Sequence, residues 1–179
     1  MQTSYSFFES TNYKTRVSSP PSTRLTSRDI SILHFVHEMK FSTIEQIYKQ
    51  FFKITKDGSS SISLRWTKER ITSLIKNDFL RPVKDLCPIT LYLISEKGYW
   101  YIKNGHFGNS VGKFHKVIDS RFLKHDAAVS DVRIHLESKK IATHWISEHL
   151  LPEHPGVRKY LTSEFRPDGI YTGACPSFS

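Results

Sequence analysis

The sequence predicts a mixed α+β fold on three observations. Three helical patterns follow one another between residues 25 and 76, each with its own start signal. Two strand-like runs, Phe79–Val83 and Thr90–Ile94, come next and flank a proline-bearing turn. A longer helical pattern and two more strand-like pieces then occupy residues 120–171.

Residues 1–23 are rich in Ser and Thr, carry the Pro20-Pro21 pair, and offer only Tyr5, Phe7 and Phe8 as an apolar group, which predicts a flexible arm. The first helix opens at Leu25-Thr26-Ser27-Arg28-Asp29-Ile30. Thr26 is placed to cap it, Asp29 answers three residues on, and Leu25 with Ile30 forms a hydrophobic staple. It should reach about Met39 and bury Ile32, Leu33 and Val36. For the second helix, Ser42 and Glu45 form a capping box, and Ile44, Ile47, Tyr48 and Phe51 share one face. The loop KITKDGSSS leads to a third helix from about Ser60 to Lys76. Leu64, Thr67, Ile71, Leu74 and Ile75 fall on its inner face, while Ile62, Arg65, Trp66, Glu69 and Lys76 face away. Asn77 is the expected left-handed cap.

The two strand-like runs, separated by KDLCP, read as a hairpin. Ser95 caps a fourth helix, Glu96 to about Lys103, and a loop bracketed by Gly105 and Gly108 closes a unit expected to span residues 24–110. Residues 111–179 form a second, small α/β unit. Its helix runs from about Ser120 to Lys139 with an apolar face of Phe122, Val129, Val132 and Leu136. Strand-like pieces follow at Ile141–Ile146 and Glu164–Tyr171. No internal repeat is visible.

Charge gives these elements a direction. Lys and Arg number 26 against 17 Asp and Glu, and residues 40–84 hold ten of the former against four of the latter. A surface of that sign attracts a polyanion. Three helices followed by a hairpin is the winged helix-turn-helix order, in which two helices prop a third so that its outer face enters a major groove. The expected partner is double-stranded DNA, read in a sequence-dependent way. On this reading Arg65 and Trp66 face the groove, and Ser59, Ser60 and Ser61 offer hydroxyls or amides to a phosphate. Lys68, Arg70, Lys76, Arg81 and Lys84 hold the backbone. Basic residues on exposed helices are also commonly just solvated, and some winged helices use this face for protein partners, so an interaction adaptor is the competing reading.

Five stretches carry a family resemblance: LTSRDISILHFVHEMKFSTIEQI, SLRWTKERITSLIKNDFLRPV, LYLISEKGYWYI, KHDAAVSDVRIHLE and FRPDGIY. In this order they resemble the replication-relaxation family of bacterial plasmids and mobile elements; the first three are shared by many winged helices, and the last two are the specific ones. The resemblance implies a winged helix joined to a nuclease-like unit, with roles in plasmid replication, relaxation or transcriptional control. His125, Asp126, Asp131 and the Pro167-Asp168 pair match positions the family favours. A metal-dependent nuclease of this kind would use Asp131 and Asp168, but it also needs a further acid and a Lys after the Pro-Asp pair. Only eleven residues, GIYTGACPSFS, follow Asp168, with neither among them. The unit is therefore expected to be truncated or degenerate, the protein non-enzymatic, and the second unit a dimerisation or positioning element of a homodimer. His125 shares a face with Phe122, Val129 and Val132, where a lone histidine is usually a satisfied core residue, and Asp168 reads as easily as a turn residue.

The remaining expectations are negative. His144, His149 and His154 with Glu148 and Glu153 match no standard metal spacing, so no metal or other cofactor is expected. Cys87 and Cys175 cannot build a disulfide framework. No apolar run approaches the ~18 residues that span a bilayer, and the first residues lack a secretory pattern, which predicts a cytoplasmic protein away from membranes.

Overall fold

Local chemistry at the start of the first helix sets its boundary. In the computed structural model, which describes residues 24–53, 63–162 and 167–173, helix α1 spans Ser27–Glu38. The Thr26 side chain accepts from the Asp29 amide and the Asp29 carboxylate accepts from the Thr26 amide, the reciprocal box expected from the sequence. Ile32, Leu33 and Val36 are buried.

The second helix, α2 (Ile44–Phe51), corrects its expected cap by one residue. Thr43 and Gln46, rather than Ser42 and Glu45, form the capping box. The reason is not local: Ser42 and Thr43 form a short strand, β1, in which Ser42 is buried opposite Tyr92. With Ser42 held in the sheet, the next hydroxyl caps the helix.

Helix α3 spans Leu64–Lys76 behind Ser63, with the expected start at residues 60–62 lying outside the described residues. Thr67, Ile71 and Leu74 are its buried positions. The left-handed residue at its end is Asp78 (φ 57°), not Asn77 (φ −95°). The Asp78 amide donates to the Ile75 carbonyl and the Phe79 amide to Leu74, closing a Schellman motif that satisfies two terminal carbonyls.

Strands β2 (Leu80–Val83) and β3 (Leu91–Ile94) pair antiparallel, Leu80 opposite Ile94 and Val83 opposite Leu91, as the predicted hairpin. The sheet order is β1-β3-β2, so Pro82 lies on an edge strand, where its missing donor costs no ladder bond. Ser95 caps α4 (Glu96–Ile102) by accepting from the Gly98 amide. A Cβ at Gly98 would fall 2.3 Å from the Phe79 carbonyl oxygen, so only glycine lets α4 come this close to the hairpin. A π-helical turn (Lys103–Phe107) and a 3-10 turn (Gly108–Val111) stand where a glycine-bracketed loop was expected.

Helices α1 to α4 and the hairpin enclose one core containing Ile32, Leu33, Ile47, Ile71, Leu74, Leu80, Ile94 and Ile102, and Val111 is buried in the same cluster. Beyond it, a 3-10 turn (Ser120–Phe122) leads into α5 (Leu123–Ser138). The expected apolar face of this helix is corrected: Phe122 and Val132 are exposed, and the buried positions are Ser130, Arg133 and Ile134. Helix α5 docks on α1 and α2 largely through polar groups. Arg133 Nη1 donates to Glu38 Oε2 (2.8 Å) and Gln50 to Glu137, while Arg133 Nε holds Glu137 in place from within α5 (2.8 Å). Ile134 adds an apolar contact with Phe35 and Met39.

Strand β4 (Ala142–Ser147) pairs antiparallel with β5 (Gly169–Gly173), Trp145 opposite Tyr171, with a bulge between Ala142 and His144. A 3-10 turn (Glu148–Glu153) and the short α6 (Pro155–Arg158) connect them. The fold is thus α+β, with two small antiparallel sheets among the described residues. Residues 163–166, where the second strand was expected to begin, lie outside the described residues.

Candidate nucleic-acid interface

The outer side of α3 follows from its inner side. With Thr67, Ile71 and Leu74 buried, a 3.6-residue period turns Arg65, Trp66, Lys68, Glu69, Thr72 and Lys76 toward solvent. Arg65 is 84% exposed and its Nε donates to Glu69 Oε1 at 3.0 Å; the indole of Trp66 is 65% exposed. Arg65, Lys68, Glu69, Thr72, Ser73 and Lys76 line an open groove along the helix. Apart from Glu69 the ionisable groups along it are cationic.

Arg70 departs from its expected place on this face. Its Nε donates to Asp29 Oδ1 (2.6 Å) and its Nη2 to Asp29 Oδ2, while Asp29 is 1% exposed. Burial alone would push the Asp29 carboxyl up, but hydrogen bonds from Arg70 and Thr26 outweigh it and hold the group below the usual carboxylate range. Arg70 therefore ties α3 to the N-terminus of α1 and orients the outer face rather than forming part of it. Arg81 is likewise engaged, since its Nη2 donates to the Lys116 carbonyl. Lys84 is exposed where the hairpin turn begins. Ser59, Ser60 and Ser61 lie outside the described residues.

The two acids of the nuclease reading are not brought to one contact. Asp131 accepts from Gln46 Nε2 on α2 (3.3 Å), whereas Asp168 accepts from His125 Nε2 (2.9 Å). The residues gathered around Asp168 are instead His125, Asp126, Lys40 and Glu148, at the edge of a narrow cleft. Lys40 Nζ lies 3.2 Å from Asp126 and 3.9 Å from Glu148. The core position expected for His125 is corrected: its side chain is exposed. Lys40 and Glu148 were not legible as members of this group, because they come from the end of α1 and the end of β4, 108 positions apart in the sequence. Among the described residues no three His, Cys, Asp or Glu side chains converge as a metal site.

His149 joins His37 and His115 in a packed group, with ring centroids 4.6 Å apart for His115 and His149 and 6.2 Å for His37 and His149. The His37 Nε2 donates to the Val111 carbonyl. Burial lowers the pKa of His37 to about 4 and that of His149 to about 3, with the neighbouring imidazoles adding to the shift.

Compared with known proteins, the chain matches no family model, no curated protein and no solved structure. No helix among the described residues is long and apolar enough to cross a membrane.

Proposed function

We propose that residues 24–110 act as a winged helix-turn-helix module that binds double-stranded DNA. The observation carrying this reading is the outer face of α3. Arg65, Trp66, Lys68 and Lys76 are exposed together on a helix whose opposite side is seated on α2 and β2 and tied to α1 through Arg70. Such a face suits a major groove. Arg65 has the donor geometry for guanine once released from Glu69, and the lysines match phosphate. The β2–β3 hairpin follows α3 directly in the chain, an order that supports the winged-helix reading. The setting we propose for this binding, replication or transcriptional control of a plasmid or mobile element, rests on the resemblance of the sequence to replication-relaxation proteins.

The test is titration of labelled duplex fragments over a salt series with the wild type and with Arg65→Ala/Lys68→Ala. The double variant should bind more than about tenfold more weakly at moderate salt, with a shallower salt dependence. A wild type with no salt-dependent affinity would instead favour the adaptor reading. A double variant titrating like the wild type would remove α3 from the interface.

A further inference from the structure

The hairpin tip is a poor phosphate ligand by itself. Its turn, residues 84–90, holds one cation and one acid, Lys84 and Asp85, beside the exposed apolar side chains of Leu86 and Ile89. What lies against the hairpin is different. The segment after Val111 crosses it: the Arg81 guanidinium grips the Lys116 carbonyl, and Ile118, Leu123 and Ala127 pack on the cluster of Phe41, Leu91 and Leu93 with Val83 and Cys87. The segment therefore lies along the face of the strand pair that carries Val83, Leu91 and Leu93.

The crossing segment is cationic. Residues 112–124 carry Lys113, Lys116, Arg121 and Lys124 against Asp119 alone. Asp119 is already matched by Arg121, whose Nη2 lies 2.6 Å from it. Lys113, Lys116 and Lys124 are exposed, and among the described residues none has an ion-pair partner. Val117 beside them is 81% exposed, so the segment keeps an open outer side while its inner side rests on the hairpin.

We infer that this segment is a second DNA contact, a basic strap laid over the hairpin in which Lys113, Lys116 and Lys124 track the phosphates of the duplex held by α3. The occupant is the sugar-phosphate backbone, because three exposed ammonium groups with no ion-pair partner among the described residues match the charge of phosphates and carry no base-reading geometry. Arg81 is a positioning residue for the strap rather than a phosphate ligand. The inference rests on the DNA-binding reading of α3.

The experiment compares duplex titrations from about 50 to 200 mM salt for the full chain, for Lys113→Ala/Lys116→Ala/Lys124→Ala, for the same three changed to Arg, and for Lys139→Ala/Arg158→Ala/Lys159→Ala, which removes equal charge elsewhere. Circular dichroism confirms that each variant is folded. The strap triple should weaken binding about tenfold near 0.1 M salt and lower the slope of log Kd against log salt by about 0.9 per lost contact. The Arg version should restore both, and the remote triple should leave the slope unchanged. A strap triple with wild-type affinity and slope would overturn the strap alone, and so would equal losses in the two Ala triples. Absence of binding by the wild type would overturn the α3 reading on which the strap depends.

Discussion

Arg70 shows how one side chain can serve a face it does not belong to. Its guanidinium closes on Asp29, which also receives the Thr26 amide and hydroxyl, so a helix cap and an interhelical ion pair share one buried carboxylate. Replacing Asp29 by Asn leaves a charge next to a neutral amide and weakens the cap. It should destabilise the fold by about 3 kcal/mol in urea titration. Because the folded-state pKa of Asp29 is depressed below 3.8, its contribution is present above that value and is lost as pH falls through the lower folded one. The Asp29→Asn variant should accordingly lose less stability than the wild type on acidification below about pH 4.

At the scale of elements, helix starts were far more legible than helix ends. Thr26 with Asp29 and Ser95 with Gly98 act over three residues, so the pattern and the bond coincide. The cap of α2 shifted because a strand pairing 50 positions away claimed Ser42. The ends of α3 and α5 are Schellman motifs with Asp78 and Lys140 in the left-handed position, where glycine is the usual signal. Lys140 (φ 58°) is exposed, and its amide and that of Ile141 donate to Glu137 and Leu136. Lys140→Gly relieves the Cβ strain and should raise stability by about 0.5–1 kcal/mol in the same titration. The packed face of α5 was misread for a related reason. Periodicity counts apolar residues, and this helix is seated by Arg133 on Glu38, with Phe122 and Val132 left outside.

For the whole molecule, the histidine group joins segments far apart in the sequence: His37 from α1, His115 from the strap and His149 from the turn after β4. The groups facing it that are or can become cationic are His34, Lys103 and Lys40. Both resolved shifts are downward, so the folded protein resists protonation while the unfolded chain accepts it near pH 6.5. Stability should be full above pH 6.5 and fall as pH drops toward the folded values of about 4 and about 3. Each of these two groups steepens the fall by up to about 1.4 kcal/mol per pH unit. Urea midpoints between pH 7 and 4.5 check this, and His149→Leu should flatten the slope whatever it does to stability at pH 7. An unchanged slope would mean that His149 is not held neutral.

The chain by itself determined what local physics controls: the succession of three helices and a hairpin, the first-helix and fourth-helix caps, and the concentration of positive charge near α3. Hydrogen bonds over three residues and a 3.6-residue period need no distant partner. Tertiary structure decided which charges are available. It engaged Arg70 with Asp29 and Arg81 with the Lys116 carbonyl, gathered Lys40, Asp126 and Glu148 near the His125–Asp168 pair, and packed the segment around Lys116 and Ile118 on the hairpin. A charged side chain has many potential partners of opposite sign or polarity, and only the folded chain selects among them.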